Sequence, residues 1–112
     1  MILATDLPLS ERQLKRLCRR AGIGLARTGS HMGNGSGDIA IAFTTANRVP
    51  HDSDSPVLEM KYLHDDSIDI AFRAAVESVE EAIISSMYHA PDFVGRGGTV
   101  KPGLKNKLDT IC

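Results

Sequence analysis

The feature that most constrains the fold is a glycine-rich loop that leads directly into a strand. The loop GNGSGD spans residues 33–38 and is followed by the apolar stretch IAIAF. A helical pattern precedes it, so the order along the chain is helix, loop, strand. A dinucleotide-binding loop instead follows a strand and opens a helix, and a Walker A loop ends in Gly-Lys followed by Ser or Thr. Neither pattern fits, which leaves two interpretations: a connection without chemistry, or a loop that exposes Ser36 for reaction.

Periodic apolar residues predict an α/β chain of alternating strands and helices. A capping-box pattern, with Ser10 as N-cap and Gln13 three residues later, begins a helix whose apolar residues recur at helical spacing. The strand after the glycine loop carries apolar or small side chains on both faces, so we expect it to be covered on both sides. The predicted elements, in chain order, are a strand at 2–5, a helix from the N-cap to about 25, a strand at 38–46, a short strand near 57–61, a helix from about 65 to 88, a strand at 99–101 and a helix at 104–111.

The first predicted helix carries a strongly basic face opposite its apolar one. Such a face could bind phosphate groups. A solvated helix face is the interpretation we favour, because amphipathic helices ordinarily turn their charges to water. The basic residues are Arg12, Lys15, Arg16, Arg19 and Arg20.

Metal and thiol chemistry have weak support in the sequence. His51, Asp52 and Asp54 could ligate a metal ion, but no second ligand cluster accompanies them, so we favour a solvated loop. Cys18 lies on the apolar face of the first helix and is predicted to be a buried, inert thiol. Together with Cys112 it makes two cysteines, too few for a disulfide scaffold.

Composition argues against several classes of partner. The net charge is −1, so no bulk field attracts nucleic acid or anionic lipid. Aromatic residues make up 4% and Trp is absent, which argues against a base-stacking surface. No apolar run reaches the length of a membrane-spanning helix, and no basic-then-apolar signal segment opens the chain. We therefore expect no nucleic acid or membrane partner and a cytoplasmic location.

Ser36 could act as a nucleophile if the bond that precedes it were cut. Its own α-amine, with an ordinary pKa of about 8, would then serve as the general base for its hydroxyl. The chain could make this cut itself by an N-to-O acyl shift, in which the Ser36 hydroxyl attacks the Gly35 carbonyl. Glycines on both sides of the serine would lower the steric cost of the strained geometry that this shift requires.

The sequence resembles a known family most closely over residues 4–50, ATDLPLSERQLKRLCRRAGIGLARTGSHMGNGSGDIAIAFTTANRVP. This stretch is similar to the DmpA-type aminopeptidases, which are self-processing serine peptidases that include L-aminopeptidase/D-esterases and β-peptidyl aminopeptidases. The likeness continues more loosely through FRAAVESVEEAIISSM and GRGGTV, so it extends over nearly the whole chain.

The resemblance implies a fold, a division of the chain and a set of site residues. The fold would be α/β, part of a four-layer α/β/β/α sandwich. Residues 1–35 would end the larger chain and residues 36–112 would form the smaller chain, produced by cleavage between Gly35 and Ser36. Ser36 would be the nucleophile. Ser78 and Glu80 match a Ser and a Glu, two residues apart, that support the nucleophile and its amine in related enzymes.

The resemblance also implies an activity. The intact enzyme would release N-terminal residues, D- or β-residues among them, from small peptides, amides or esters. It would use no metal or organic cofactor and would assemble as a homo-oligomer.

Two alternatives to an active aminopeptidase stay open. Family members are much longer, and the part upstream of the matching stretch supplies most of the substrate pocket, an Asn donor to the oxyanion and an aromatic hydroxyl. The chain could therefore be an inactive truncated fragment that needs this upstream chain as a partner. The related ornithine acetyltransferases share the architecture and self-cleavage, but their nucleophile is a Thr, which disfavours that class for a chain with Ser36.

Overall fold

The computed structural model describes residues 1–111 as a mixed α/β arrangement. Two long helices and a parallel strand pair form its main body, and a strand pair with a short helix follows toward the C-terminus. The elements are β1 (Ile2–Thr5), α1 (Glu11–Arg27), β2 (Ile41–Thr44), a 3-10 turn (Asp65–Ser67), α2 (Asp69–His89), β3 (Phe93–Val94), a second 3-10 turn (Arg96–Gly98), β4 (Val100–Lys101) and α3 (Leu104–Ile111).

The first two strands form a β-α-β unit. β1 and β2 pair in parallel, with Ile2 opposite Ile41 and Thr5 opposite Thr44. Parallel neighbours require a crossover connection, and α1 supplies it. β3 and β4 form a separate antiparallel pair. The glycine-rich loop therefore lies between the crossover helix and the second strand of the unit.

The predicted capping box is confirmed at the start of α1. The Ser10 hydroxyl accepts a hydrogen bond from the backbone N–H of Gln13, and the Gln13 side chain accepts one from the backbone N–H of Ser10. Gln13 is buried, and its amide also donates to the carbonyl oxygen of Leu63 at 2.7 Å and to the carboxylate of Asp65 at 2.8 Å. One side chain thus caps the helix and anchors the segment that leads into α2.

The core lies between α1, α2 and one face of the β1–β2 pair. Small residues on both helices allow close packing, and most of the predicted apolar stripe of α2 is buried. Farther along that stripe Ile83 is half-buried and Met87 is 41% exposed. The buried cluster comprises Leu3, Leu9, Leu17, Ala21, Ile68, Ala71, Phe72, Ala75 and Val79.

The expectation that the second strand is covered on both faces is wrong within the described residues. β2 is shorter than predicted, and its side chains alternate between half-buried and exposed. Ile41 is 58% exposed and Phe43 is 46% exposed, because the helices pack on the opposite face only. Ile2 of β1 lies beside them and is 75% exposed. The sheet therefore presents an open apolar face, made of Ile2, Ile41 and Phe43.

Two smaller predictions also fail, and a third holds only in part. Residues 57–61 form no strand; the side chain of Asn47 instead makes two hydrogen bonds with the backbone of Lys61. Cys18 is only half-buried, and Cys112 lies outside the described residues. The basic face of α1 is not wholly solvated, because the guanidinium of Arg20 lies 4.0 Å and that of Arg16 lies 5.0 Å from the ring centroid of Phe72.

Candidate active site

Ser36 lies at the end of a turn in the glycine-rich loop. Its backbone N–H donates to the carbonyl oxygen of Gly33 at 2.8 Å, with Asn34 and Gly35 at the corners. The Gly35–Ser36 peptide is therefore the last bond of the turn, and both of its residues are exposed. This placement leaves the predicted scissile bond accessible.

The uncut loop does not need glycine on either side of Ser36. A Cβ placed on Gly35 or Gly37 would meet no atom within 4 Å, and neither residue has the positive φ that favours glycine. Folding alone therefore gives no reason for these two glycines. The sequence-based explanation, that they ease the strained geometry of an acyl shift, stays a prediction.

The hydroxyl of Ser36 donates a hydrogen bond to a carboxylate oxygen of Asp38. This contact was not predicted from the sequence, because the prediction for Ser36 depended on the serine and its flanking glycines. The available signal was a carboxylate two residues after the candidate nucleophile, separated from it by a single glycine.

Ser78 lies on α2 and lines an open cleft beside β1. Its hydroxyl donates to the carbonyl oxygen of Ala75 at 3.2 Å, within its own helix. The cleft has a volume of about 400 Å³ and is bordered by residues 1–4 and by Val79 and Ile83 of α2. Its walls are mostly apolar, and Ser78 is one of its few polar groups.

Glu80 faces a different side of α2. Its carboxylate pairs with the guanidinium of Arg27 at 3.0 Å, and it borders a shallow groove that also contains Tyr88. α2 is a continuous helix, and residues two apart on a helix do not share a face. Sequence reasoning had no signal for the Arg27 contact, since the two residues are 53 positions apart.

The structure brings the loop and the Ser78 cleft to the same end of the sheet. The amino group of Met1 donates to the carbonyl oxygen of Ile39 at 2.7 Å, where the loop enters β2. Met1 also borders the cleft that Ser78 lines. Within residues 1–111, however, no hydrogen bond joins Ser36 to Ser78 or to Glu80. A site formed by Ser36, Ser78 and Glu80 therefore stays a prediction. These side chains would have to move closer together to form it.

Other kinds of site receive no support from the described part of the chain. In residues 1–111, no three His, Cys, Asp or Glu side chains lie close enough together to hold a metal ion. Over the same residues, no helix has both the length and the apolar character needed to cross a membrane.

Comparison with known proteins identifies relatives over almost the whole chain. The sequence profile of peptidase family S58 matches residues 1–101. A curated relative, the "Beta-peptidyl aminopeptidase BapA" of Sphingosinicella microcystinivorans, is 38% identical over 98 residues, which are 88% of this chain and 25% of that protein.

Two solved structures superpose closely on the chain. The PH0078 protein of Pyrococcus horikoshii OT3 matches 98% of it with a TM-score of 0.86 and 48% identity. The L-aminopeptidase D-Ala-esterase/amidase of Ochrobactrum anthropi, described as a prototype serine aminopeptidase with a variant of the Ntn hydrolase fold, matches 98% with a TM-score of 0.86 and 43% identity. The alignments cover 32% and 31% of those chains, respectively. The chain thus spans about a quarter of the curated relative and about a third of these two structures.

These matches confirm the predicted family resemblance and the α/β fold class. The chain has the fold of the corresponding part of Ntn-hydrolase-type aminopeptidases. The division at residues 35 and 36, and the roles of Ser36, Ser78 and Glu80, stay predictions.

Proposed function

The chain belongs to peptidase family S58, and on that premise we propose that it forms part of a self-processing serine aminopeptidase. Cleavage between Gly35 and Ser36 makes Ser36 a new N-terminus and the nucleophile of the mature enzyme. The observation that carries the proposal is the placement of this bond: it closes an exposed turn, and within residues 1–111 the hydroxyl of Ser36 makes no hydrogen bond to the backbone.

The proposed mechanism uses one residue as both nucleophile and base. After the cut, the α-amine of Ser36 accepts the proton from its hydroxyl, which attacks the carbonyl carbon of the substrate. The protonated α-amine then gives this proton to the amine or alcohol of the substrate, which leaves as an acyl-enzyme forms on the Ser36 oxygen. Water then hydrolyses this ester and releases the acid. Ser78 and Glu80 are proposed to position the amine and hydroxyl of Ser36.

The proposed substrates carry a free N-terminal residue joined to an amide or an ester. The relatives' names support this class, since they refer to a β-peptidyl aminopeptidase and to an L-aminopeptidase that is also a D-Ala-esterase/amidase. We therefore extend the proposal to D- and β-residues. A transferase reaction of the ornithine acetyltransferase type is disfavoured, because Ser occupies the position of its Thr nucleophile.

The activity is proposed for an assembly rather than for residues 1–111 alone. The open apolar face of Ile2, Ile41 and Phe43 is unfavourable to leave in water, and exposed apolar patches mark interaction surfaces. A further segment, corresponding to the parts of the relatives outside the matched region, would cover this face and complete the substrate pocket. Assembly of such units into a homo-oligomer is part of the same proposal.

Hydrolysis of chromogenic substrates tests the proposal. We expect the protein, together with the segment that completes its substrate pocket, to release p-nitroaniline from anilides of L-, D- or β-residues, but not from the same anilides with an acetylated amino group. The Ser36→Ala variant should be inactive toward all of them. Equal hydrolysis of the acetylated substrates, or an active Ser36→Ala variant, would contradict it. A parent that stays inactive when that segment is present would favour the alternative of an inactive fragment.

A further inference from the structure

We propose that residues 91–111 form an arm that docks on helix α2 of a second copy of the chain. The arm comprises β3, β4 and α3. The proposal rests on the homo-oligomer included in the proposed function, because it assigns the surfaces that join two copies. It is tested through assembly and not through hydrolysis, so the two proposals can fail separately.

The arm extends away from the main body of the chain. The radius of gyration is 19.0 Å, whereas a compact chain of this length would have about 13 Å, and the longest dimension is 61 Å. Phe93 is 68% exposed, Val94 is 65% exposed and Val100 is 59% exposed, so the hairpin of the arm leaves its apolar side chains open. Exposed apolar surface of this kind marks an interaction site.

The base of the arm is fixed to the end of α2. The carboxylate of Asp92 accepts hydrogen bonds from the backbone N–H of Gly103 at 2.7 Å and from the side-chain amide of Asn106 at 2.9 Å. Gly103 also lies against the carbonyl oxygen of Ala90, so closely that a Cβ has no room there. The arm therefore meets a partner as a preformed unit, which lowers the ordering cost of docking.

A groove along the C-terminal part of α2 offers a matching surface. Its volume is about 500 Å³, and its walls include the partly exposed side chains of Ile84 and Tyr88. Three carboxylates border it, those of Glu77, Glu80 and Glu81. An apolar wall with an acidic rim fits a partner segment that is both apolar and basic.

The arm has the opposite net charge to the rest of the chain. It holds four of the 13 basic residues and two of the 14 acidic ones, a net charge of +2, which leaves −3 on residues 1–90. Opposite charges steer two surfaces together and fix their register. Exchange of arms between two copies satisfies the arm and the groove of each, in a closed two-fold dimer. The cations of the arm are Arg96, Lys101, Lys105 and Lys107.

Glu81 is the groove carboxylate left open to a cation of the partner's arm. Within residues 1–111 it forms no ion pair. The other two groove carboxylates are already paired, with Arg73 and Arg27. In its own chain the arm places the amino group of Lys105 5.9 Å from the centroid of the Tyr88 ring, while its hairpin stays exposed. The hairpin of a second copy therefore finds the groove open.

Charge-reversal variants test the docking through the dissociation constant of the dimer, measured by sedimentation equilibrium. Glu81→Lys should raise this constant by at least about tenfold, because it places a like charge against the arm. Lys101→Glu together with Lys107→Glu, both on the arm, should raise it similarly. All three changes in one chain should return it toward the parent's value. Glu59→Lys reverses an exposed carboxylate outside both surfaces and should leave the constant unchanged.

The outcomes separate the arm from the proposed function. A parent that stays monomeric overturns the docking, and so does a dimer that neither reversal weakens, since another surface then joins the copies. Recovery of the dimer by the combined changes supports it. Ser36 lies outside both surfaces, so Ser36→Ala should dimerise like the parent. A dimer with the expected responses but no hydrolysis would contradict the proposed function alone, whereas hydrolysis by a monomeric parent would overturn the docking alone.

Discussion

Gly24 of α1 packs directly against Val79 of α2. A Cβ added to Gly24 would lie 2.8 Å from the Cβ of Val79 and 2.6 Å from the carbonyl oxygen of Val76, closer than real Cβ atoms approach. The two helices therefore meet at a spacing that only glycine allows. Because Val79 stands between Ser78 and Glu80, this contact also sets how α2 presents both predicted site residues.

Replacing Gly24 with alanine should destabilise the protein. The added methyl group would clash with backbone as well as side chain, and overpacking of this kind costs about 1–3 kcal/mol in the free energy of unfolding. Gly22→Ala is the matched control, since its Cβ would meet only the flexible end of Met32 at 3.4 Å. It should gain up to about 1 kcal/mol from helix propensity. Urea unfolding measures both, and a Gly24→Ala variant as stable as the parent would show that the helices can move apart freely.

Replacing Gly35 or Gly37 with alanine should slow self-cleavage without destabilising the fold. Neither site is crowded or left-handed, so stability should stay unchanged or rise by about 0.4–1 kcal/mol through the unfolded state. Self-cleavage should nevertheless slow by roughly tenfold to a hundredfold, because strain of about 1–3 kcal/mol enters the transition state of the acyl shift. Thermal unfolding tests the expected stability of each variant, and the time course of cleavage tests the expected loss of self-cleavage rate. Unchanged cleavage in both variants would remove the chemical reason for these glycines.

Removing the charge of Glu80 should affect catalysis more than stability. Its ion pair with Arg27 is partly exposed, with 49% of the arginine side chain and 31% of the glutamate side chain accessible, so Glu80→Gln should cost at most about 1 kcal/mol of unfolding free energy. If Glu80 acts at the site, Glu80→Gln should lower the rate of substrate hydrolysis by at least about tenfold, as loss of a positioned acid–base group does.

Glu77→Gln serves as the control for Glu80→Gln. Glu77 pairs with Arg73 on the same helix, 2.9 Å away and well exposed. Removing the charge of Glu77 should change neither the rate of substrate hydrolysis nor the free energy of unfolding by much. Equal kinetic effects of the two variants would indicate that Glu80 is only a surface charge.

The stability of the protein should fall in acid partly through Asp65. The guanidinium of Arg12 and, after it, the amide of Gln13 hold the pKa of Asp65 below its ordinary value of 3.8. The carboxylate of Asp65 therefore binds a proton more readily in the unfolded chain than in the folded one. The stabilisation is complete above pH 3.8 and is lost as the pH falls through the lower pKa of the folded state. Melting temperatures from about pH 6 to about pH 2 should fall less steeply for Asp65→Asn than for the parent and for Asp66→Asn. Parallel curves for all three proteins would contradict this source of acid sensitivity.

Local patterns in the sequence predicted much of the fold. The capping box at Ser10 and the helical spacing of α2 depend on neighbouring residues, and both were correct. The open face at Ile41 and Phe43 could not be predicted, because alternation shows which residues share a face but not what covers it.

Local sequence supports only part of the candidate site. The glycine-rich loop makes Ser36 a candidate nucleophile, whereas Ser78 and Glu80 are candidates through the family resemblance alone, and all three roles stay predictions. Contacts such as that of Arg27 with Glu80 join residues distant in the chain, so they depend on helix packing that no local pattern encodes.

The intact mass and N-terminal sequence of the purified protein test the central claim most directly. Two chains are expected after incubation, one of them beginning with Ser36-Gly37-Asp38, and a single uncut chain is expected for Ser36→Ala. A parent that stays whole, or a cut at any other bond, would contradict the assignment of Ser36 as the nucleophile released by self-cleavage.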